Sequence, residues 1–434
     1  MLNFNTVFIS SPIPKKLKRK FLNCHLIQLV NSFLEILSIS LVIPIISFIL
    51  DLKTDFLSKY KLNFIINFFE NSDQKTTILV IVFSVIFFFL IRVIIQIVIS
   101  AYELKFIYQI KKSLQREVFK RCIFIDLKNL ASTPINEQHR NISDIGTVTK
   151  YINSLLLFNS NIILAILIIV FLLNYDFEVT VFFIFLFSLS AYAFITITKK
   201  FYSNAGMELR RIAAKELDHV FNSLNSLKEI IIDKKRSFFF NLFRENHVKG
   251  LIIDYKSQLY AKLPRIIGEF IFVIAIFSAL FYFLYIKNLE REIMVDISLF
   301  TIAGLRLLPL FVYLSNSTQN LRQSLYPTQR IFEILKKYFK EEFDKISKDI
   351  VKDIQSIKFK NVKFSYKKSV HILKNINFTI PKNKTVGIMG ESGSGKSTLV
   401  NLVTGLLKPK SGLITCNNKN IFQNLNEWHN SIGY

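Results

Sequence analysis

The most informative segment of the chain reads Gly390-Glu391-Ser392-Gly393-Ser394-Gly395-Lys396-Ser397 and is followed by Thr398. It fits the pattern G-x4-G-K-[ST], in which glycines let backbone N–H groups surround a chain of phosphates. The lysine ammonium reaches the β- and γ-phosphates, and the serine hydroxyl can coordinate Mg²⁺. Residues 385–389 predict a buried strand before the loop, and residues 398–405 predict a helix after it whose N-terminus points at the phosphates. This order indicates a nucleoside triphosphate site rather than a bare glycine-rich turn.

The composition indicates membrane-embedded helices ahead of this loop. Of the 434 residues, 51% are hydrophobic and 44 are Phe, too apolar for a soluble protein unless part of the chain lies in lipid. The formal charge of +25 would suit nucleic acid. The basic residues gather between apolar runs, however, as in cytoplasmic loops of membrane proteins, so we exclude nucleic acid as a partner. Cys24, Cys122 and Cys416 match no metal or redox spacing and predict reduced, buried thiols.

Six apolar segments are long enough to cross a bilayer as helices, which takes roughly 20 residues. They cover residues 22–50, 78–99, 152–173, 179–198, 266–286 and 297–314. A short interfacial helix is predicted ahead of them, carrying Lys15, Lys16, Lys18, Arg19 and Lys20. The connections 102–150 and 199–265 are long and rich in Lys and Arg, so the positive-inside rule places them and both termini in the cytoplasm. We expect a multi-pass protein of the inner membrane.

Both long connections have helical periodicity and few turn signals. Residues 101–125 continue the second segment, and residues 207–221 continue the fourth, without a proline or glycine. We therefore predict helices that run far beyond the bilayer, with breaks near residues 126–134 and 222–228. Such tips would carry motion between a soluble domain and the membrane helices.

Glycine usage marks a domain boundary, because five of the twelve glycines precede residue 351 and seven follow it. Short apolar segments after this point predict strands at 354–359, 362–364, 376–380, 385–389 and 413–416. The predicted fold is a polytopic α-helical membrane domain (1–320), a connecting helix and linker (321–350), and the N-terminal part of an α/β P-loop NTPase domain (351–434).

Four further stretches resemble the ABC exporter family. Val362-Lys-Phe-Ser-Tyr366 resembles its aromatic loop, and Ile372-Leu-Lys-Asn-Ile-Asn-Phe378 resembles the strand leading into the phosphate loop. Gly405-Leu-Leu-Lys-Pro-Lys-Ser-Gly412 and Trp428-His-Asn-Ser-Ile-Gly-Tyr434 resemble the turn after the loop helix and the approach to the glutamine loop. The resemblance implies that Tyr366 stacks on adenine, that residues 390–398 bind ATP with Mg²⁺ at Ser397, and that two copies form a homodimer.

The membrane part resembles a narrower branch, the bacterial flippases of lipid-linked oligosaccharides. The matching stretches are residues 32–44, Pro264-Arg265-Ile and Leu305-Arg306-Leu-Leu-Pro309. This resemblance implies a lipid-linked glycan as substrate. Export of peptides or of other lipids is the alternative within the same class.

The chain departs from the family at its end. It stops at Tyr434, before the glutamine loop, the L-S-G-G-Q signature, the Walker B aspartate with the catalytic glutamate, and the switch histidine. We therefore expect an ATPase-coupled translocase only in a longer chain, and no catalytic residue and no ATPase activity in these 434 residues. A half-subunit that binds nucleotide weakly or not at all, without hydrolysing it, is the non-enzyme alternative.

Charged residues inside the predicted spans, or at the start of one in the case of Arg265, are the candidates for substrate contact. Arg92, Arg265 and Arg306 outnumber Glu35 and Glu269 there, and each central charge costs about 3 kcal/mol on insertion scales. One interpretation is structural pairing, Arg92 with Glu35 and Arg265 with Glu269. The other is a cavity in which guanidinium groups bind a lipid pyrophosphate in a bidentate manner.

Overall fold

The computed structural model describes residues 2–40, 74–124, 135–285, 293–336, 349–351, 353–366 and 372–434. Contacts divide the chain into two units, Met1–Val118 with His139–Lys337 and Phe119–Gln138 with Tyr338–Tyr434. The first unit is helical and the second contains a sheet. Three predicted features lie wholly or partly outside the described residues: the end of the first span (41–50), the break at 126–134, and the part of the linker over residues 337–348.

The described residues ahead of the sheet form helices of very unequal length. They are α1 (Leu2–Ile9), α2 (Lys15–Ser40), α3 (Gln74–Ile123), α4 (Ile135–Ser143), α5 (Ile145–Tyr175), α6 (Phe177–Asn225), α7 (Leu227–Ile232), α8 (Arg236–Tyr285) and α9 (Ile293–Lys336). Five stretches in the described ranges are long and apolar enough to cross a membrane: Val82–Ile123, Glu137–Tyr175, Phe177–Asn225, Arg236–Tyr285 and Asp296–Lys336. They confirm five of the six predicted spans as helices. The remaining one, the first predicted span (22–50), is described only as far as residue 40, and that part lies in α2.

The predicted extensions are also confirmed as uninterrupted helices. α3 and α6 contain 50 and 49 residues, more than twice the length that a bilayer core requires. The predicted break near residues 222–228 occurs at Ser226, and the chain turns back only after α7, at Asp233–Lys235, where Lys234 has a φ of 55°.

The predicted short helix over residues 15–20 is wrong. These residues form the first turns of the continuous α2, and the separate short helix is α1. Pro12 and Pro14 explain the difference, because proline interrupts a preceding helix yet is tolerated at the start of the next one.

α2 and α3 run antiparallel and are joined by polar side chains. Lys20 Nζ donates to Gln109 Oε1 at 2.7 Å, and Gln28 donates to Glu103 nearer the middle of both helices. α5, α6, α8 and α9 surround an apolar core in which the rings of Phe183 and Phe300 lie 5.5 Å apart. Its fully buried members are Ile168, Ala275, Phe283, Phe300 and Ala303.

The second unit contains a four-stranded antiparallel sheet of order β2-β1-β3-β4. Its strands are β1 (Ser356–Phe364), β2 (Leu373–Pro381), β3 (Ser411–Cys416) and β4 (Lys419–Asn420), and α10 (Lys396–Val403) and α11 (Leu425–Asn430) accompany it. The two strands predicted at 354–359 and 362–364 are one strand with an irregularity at Asn361, where φ is 50°. Gly412 lies against this irregularity, since a Cβ there would come within 2.3 Å of the Asn361 carbonyl oxygen.

The other three predicted strands have different outcomes. Those at 376–380 and 413–416 are confirmed as parts of β2 and β3. The strand predicted at 385–389 is wrong. A strand needs a neighbour that satisfies its backbone donors and acceptors, and none of the described strands pairs with this segment. Val386 and Ile388 are correspondingly exposed.

The three cysteines are free thiols, as the spacing predicts. Cys24 and Cys416 are buried, whereas Cys122 near the end of α3 is only partly buried, which corrects the expectation of three buried thiols. Burial raises the pKa of the Cys416 thiol and so keeps it protonated. The described residues contain no cluster of His, Cys, Asp and Glu suited to a metal ion.

Candidate functional site

The phosphate-loop residues form a tight turn that enters α10. Gly393 and Gly395 have φ values of 84° and 96°, in the left-handed region that favours glycine. Gly390, at a φ of 155°, is also crowded, because a Cβ there would come within 2.8 Å of Ser394 Oγ. These positions need glycine for backbone geometry, so the motif corresponds to a real loop conformation.

Lys396, the first residue of α10, folds back over this loop. Its ammonium donates to the carbonyl oxygens of Gly390 at 2.8 Å and of Glu391 at 2.6 Å. The positive charge therefore lies at the turn itself. Ser397 follows in the first helical turn with its side chain exposed.

Tyr366 and Thr398 bring the end of β1 next to α10. The tyrosine hydroxyl lies 3.5 Å from Thr398 Oγ1, and its ring packs edge-on against Phe364 at 5.0 Å. Thr398 is buried, whereas Tyr366 is partly exposed. The structure therefore places the aromatic residue beside the phosphate loop, although 32 positions separate Tyr366 from Thr398 in the sequence.

These residues fit a nucleotide with its magnesium ion. The loop has glycine at three positions, where no side chain can stand between its backbone and a ligand, and the Lys396 ammonium lies against it. Ser397 is exposed. A helix N-terminus with free N–H groups adds a partial positive charge at the same place. We infer that Lys396 and the loop would bind phosphates, Ser397 the metal ion and Tyr366 the base.

Three charged side chains of the first unit, Glu35, Arg92 and Arg306, form one cluster. Glu35 Oε1 lies 2.9 Å from Arg92 Nη2 and 3.4 Å from Arg306 Nη1. Arg92 also donates to Ser38 Oγ at 3.1 Å and lies over the Phe89 ring. Two arginines thus share one carboxylate, and these three residues carry a net charge of +1.

Arg265 does not join this cluster. It pairs with Glu269, one turn further along α8, at 2.9 Å, and both side chains are mostly exposed. Of the three arginines singled out in the sequence, the structure therefore brings together Arg92 and Arg306.

A second buried ion pair has no signal in the sequence. Arg210 Nε on α6 donates to Asp144 Oδ2, the residue just before α5, at 2.7 Å, and both side chains are about nine-tenths buried. Arg210 also lies over the ring of Tyr326 on α9 at 5.9 Å. The pair joins residues 66 positions apart, so no local pattern could have indicated it.

The tip of the α6–α8 hairpin is apolar. A groove of about 320 Å³ lies there, lined by Leu224, Leu227, Ile230, Phe239, Phe240 and Phe243. Ile232 and Phe240 expose more than half of their surface. Exposed apolar patches of this kind mark contact surfaces.

The C-terminal part of the chain matches a protein-family model. Residues 373–434 match the family model described as "ABC transporter". The matched stretch begins at β2 and includes the whole phosphate loop and α10.

Individual relatives match over short stretches. The chain is 54% identical over 59 residues to the energy-coupling factor transporter ATP-binding protein EcfA1 of Ureaplasma parvum, covering 14% of this chain and 20% of the relative. It is 36% identical over 129 residues to multidrug resistance protein 1 of Plasmodium falciparum, covering 29% of this chain and 9% of the relative. The matches thus span a fifth or less of the length of these two relatives.

A solved structure matches almost the whole chain in fold. It is described as a bacterial Atm1-family ABC exporter with ATP bound, and it superposes with a TM-score of 0.66 over 95% of this chain and 70% of that chain, at 16% identity. The described helices and sheet therefore have the fold of an ABC exporter, with transmembrane helices fused to the start of a nucleotide-binding domain.

Proposed function

We propose that this chain, with its ABC exporter fold, acts as one subunit of an ATP-driven exporter or flippase. The observation that supports this proposal is the combination, in one chain, of membrane-spanning helices with a phosphate loop that opens α10. A soluble nucleotide-binding protein would not need five apolar spans. A membrane-anchored kinase would leave the long extensions of α3 and α6 without a role.

At the proposed nucleotide site, each residue of this chain would have a different role in binding. Lys396 neutralises phosphate charge, Ser397 supplies a hydroxyl to Mg²⁺, and the loop N–H groups orient the phosphates. Tyr366 stacks on the base and contributes affinity. We propose that the opposing face of the nucleotide comes from a second copy, so that binding joins two nucleotide-binding domains.

The apolar tip of the α6–α8 hairpin would transmit this motion. We propose that it docks on a nucleotide-binding domain, because its exposed Ile232 and Phe240 would then be buried. α6 and α8 are continuous from the tip into their spans, so a movement of the tip reaches the membrane. This arrangement requires the nucleotide-binding domain and the hairpin tip on the same, cytoplasmic, side of the inner membrane.

For the substrate we propose an anionic lipid-linked glycan. Arg92 and Arg306 exceed their shared partner Glu35 by one charge, and guanidinium groups suit a pyrophosphate. Arg265, exposed on α8, would contact the substrate elsewhere along its path. Export of peptides, or of other lipids, is the alternative that needs no anion-binding role for these arginines.

The transport test uses this chain joined, after Tyr434, to a segment that supplies the signature, Walker B and switch motifs. In proteoliposomes we expect ATP-dependent movement of a fluorescent lipid-linked oligosaccharide, and its loss together with ATPase activity in Lys396→Ala. Lys384→Ala, at an exposed lysine of the same domain, is the matched control and should retain both. Equal ATP turnover in Lys396→Ala and the parent would refute the proposed site.

The same experiment separates the alternatives. Arg92→Gln and Arg306→Gln should lose translocation of the glycan lipid while basal ATPase activity survives. Retained translocation would assign these arginines to structure alone. The 434-residue chain by itself should show no ATP turnover. If the extended protein also shows none, the half-subunit alternative is favoured.

A further inference from the structure

The basic run at the start of α2 divides into two sets of side chains. Lys18 Nζ donates to the carbonyl oxygens of Ile9 at 2.6 Å and Ser11 at 2.7 Å, which closes the C-terminus of α1. Lys20 Nζ donates to Gln109 Oε1 on α3. These two lysines therefore serve packing between helices.

Lys15, Lys16 and Arg19 form the other set. All three side chains are exposed. Within the described ranges, no residue forms an ion pair or a side-chain hydrogen bond with any of them. Three positive charges thus lie close together without a counter-charge from the described part of the chain.

The face of α2 that carries Lys15 and Arg19 becomes apolar directly after these two charges, and Lys16 lies about 100° around the helix from Lys15. At about 100° per residue, Lys15 and Arg19 align with a stripe of exposed apolar residues: Leu22, Leu26, Leu29, Val30, Phe33 and Leu37. The opposite face is buried and contains Phe21, Cys24, Gln28, Asn31 and Ser32. The change from cationic to apolar takes place between Arg19 and Leu22, about 4.5 Å along the helix axis.

A surface with this pattern matches one partner, the boundary of a lipid leaflet. Acyl chains would contact the apolar stripe, and the level of the headgroups would coincide with the three charges. Anionic headgroups attract Lys and Arg at this depth, and the attraction decays within a Debye length, so the charges must lie close to the boundary.

We propose that Lys15, Lys16 and Arg19 bind the phosphate groups of anionic phospholipids, in the leaflet at the N-terminal end of α2. The site would select lipids by headgroup charge. This lipid-binding proposal rests on the membrane location of the helices and not on the proposed transport activity.

The test uses the whole chain in bilayers of phosphatidylcholine that contain spin-labelled phosphatidylglycerol or spin-labelled phosphatidylcholine. The relative association constant of the two labelled lipids measures the preference for the anionic headgroup. In the variant Lys15→Gln/Lys16→Gln/Arg19→Gln this preference should fall, by at most about fivefold for each charge removed. Lys15→Arg/Lys16→Arg/Arg19→Lys keeps the charge and should keep the preference.

Lys18→Gln and Lys20→Gln are the matched controls from the same basic run. They should lower the melting temperature and leave the lipid preference in place. An undiminished preference in the triple glutamine variant would overturn the proposal. Failure of that variant to fold would overturn it too, because it would show that the three charges have a structural role.

Discussion

Glu35 and Arg92 form a 2.9 Å ion pair whose side chains are only 12% and 14% exposed. Arg306 shares the same carboxylate at 3.4 Å and is 40% exposed. Glu35 can neutralise only one of these two positive charges. The three residues therefore differ in how much charge their removal leaves uncompensated. Removal of the shared carboxylate leaves two cations without their partner.

We predict that Glu35→Gln destabilises the protein more than Arg306→Gln. Breaking a buried pair from one side typically costs about 3–5 kcal/mol, because an uncompensated charge remains. Arg306→Gln should cost less, since Glu35 keeps Arg92. Folded yield and melting temperature in detergent measure both effects.

Glu269→Gln is the control for this series. Its pair with Arg265 has the same 2.9 Å distance, but the arginine and glutamate side chains are 74% and 53% exposed. The loss of this pair should therefore cost less than about 1 kcal/mol. Similar losses in Glu35→Gln and Glu269→Gln would contradict the importance of burial.

These ion pairs show which contacts can be predicted from the sequence and which cannot. The partners Arg265 and Glu269 are one helical turn apart, and such pairs can be predicted from spacing alone. The pairing of Arg92 with Glu35 is one of two interpretations that the sequence left open. The addition of Arg306 to the same carboxylate depends on the packing of α2 and α9, which no local pattern encodes.

Gly206 and Gly146 supply the second prediction. A Cβ on Gly206 would come within 2.0 Å of the Gln323 carbonyl oxygen, so Gly206→Ala must push α6 away from α9. We expect a loss of about 1–3 kcal/mol, as for other overpacked sites. Gly146→Ala meets no atom within 4 Å and should be neutral or stabilising by up to about 1 kcal/mol. A melting temperature that falls in Gly206→Ala and does not fall in Gly146→Ala would support this contrast, and equal melting temperatures in the two variants would contradict it.

The buried pair of Asp144 and Arg210 supplies the third prediction. Asp144→Asn and Arg210→Gln should each destabilise the protein, and the double variant should recover part of the loss. A double-mutant cycle on unfolding free energies should give a coupling of about 1–3 kcal/mol. The more exposed pair of His247 and Glu216, at 3.1 Å, is the control and should give a much smaller coupling. Strict additivity at Asp144 and Arg210 would show that the pair contributes nothing.

The second unit also combines features that local sequence predicts with features that depend on residues distant in sequence. The phosphate loop is recognisable because its glycines, lysine and serine are close together in sequence. The strand predicted at 385–389 is wrong, since a run of apolar residues cannot specify whether a neighbouring strand is present to pair with it. The single β1 with its irregularity at Asn361 depends on the close approach of Gly412, which is distant in sequence.

The last prediction concerns Tyr366. Its hydroxyl lies 3.5 Å from Thr398 Oγ1, a long contact, so the ring rather than the hydroxyl should determine nucleotide affinity. Tyr366→Ala should weaken the binding of a fluorescent ATP analogue to the detergent-solubilised chain by about 1–3 kcal/mol, the value of one base stacked on one aromatic ring. Tyr366→Phe keeps the ring and should bind within a factor of about two of the parent, because a long hydrogen bond contributes little. Affinity lost equally in both variants would assign the effect to the hydroxyl, and unchanged affinity in Tyr366→Ala would remove Tyr366 from the site.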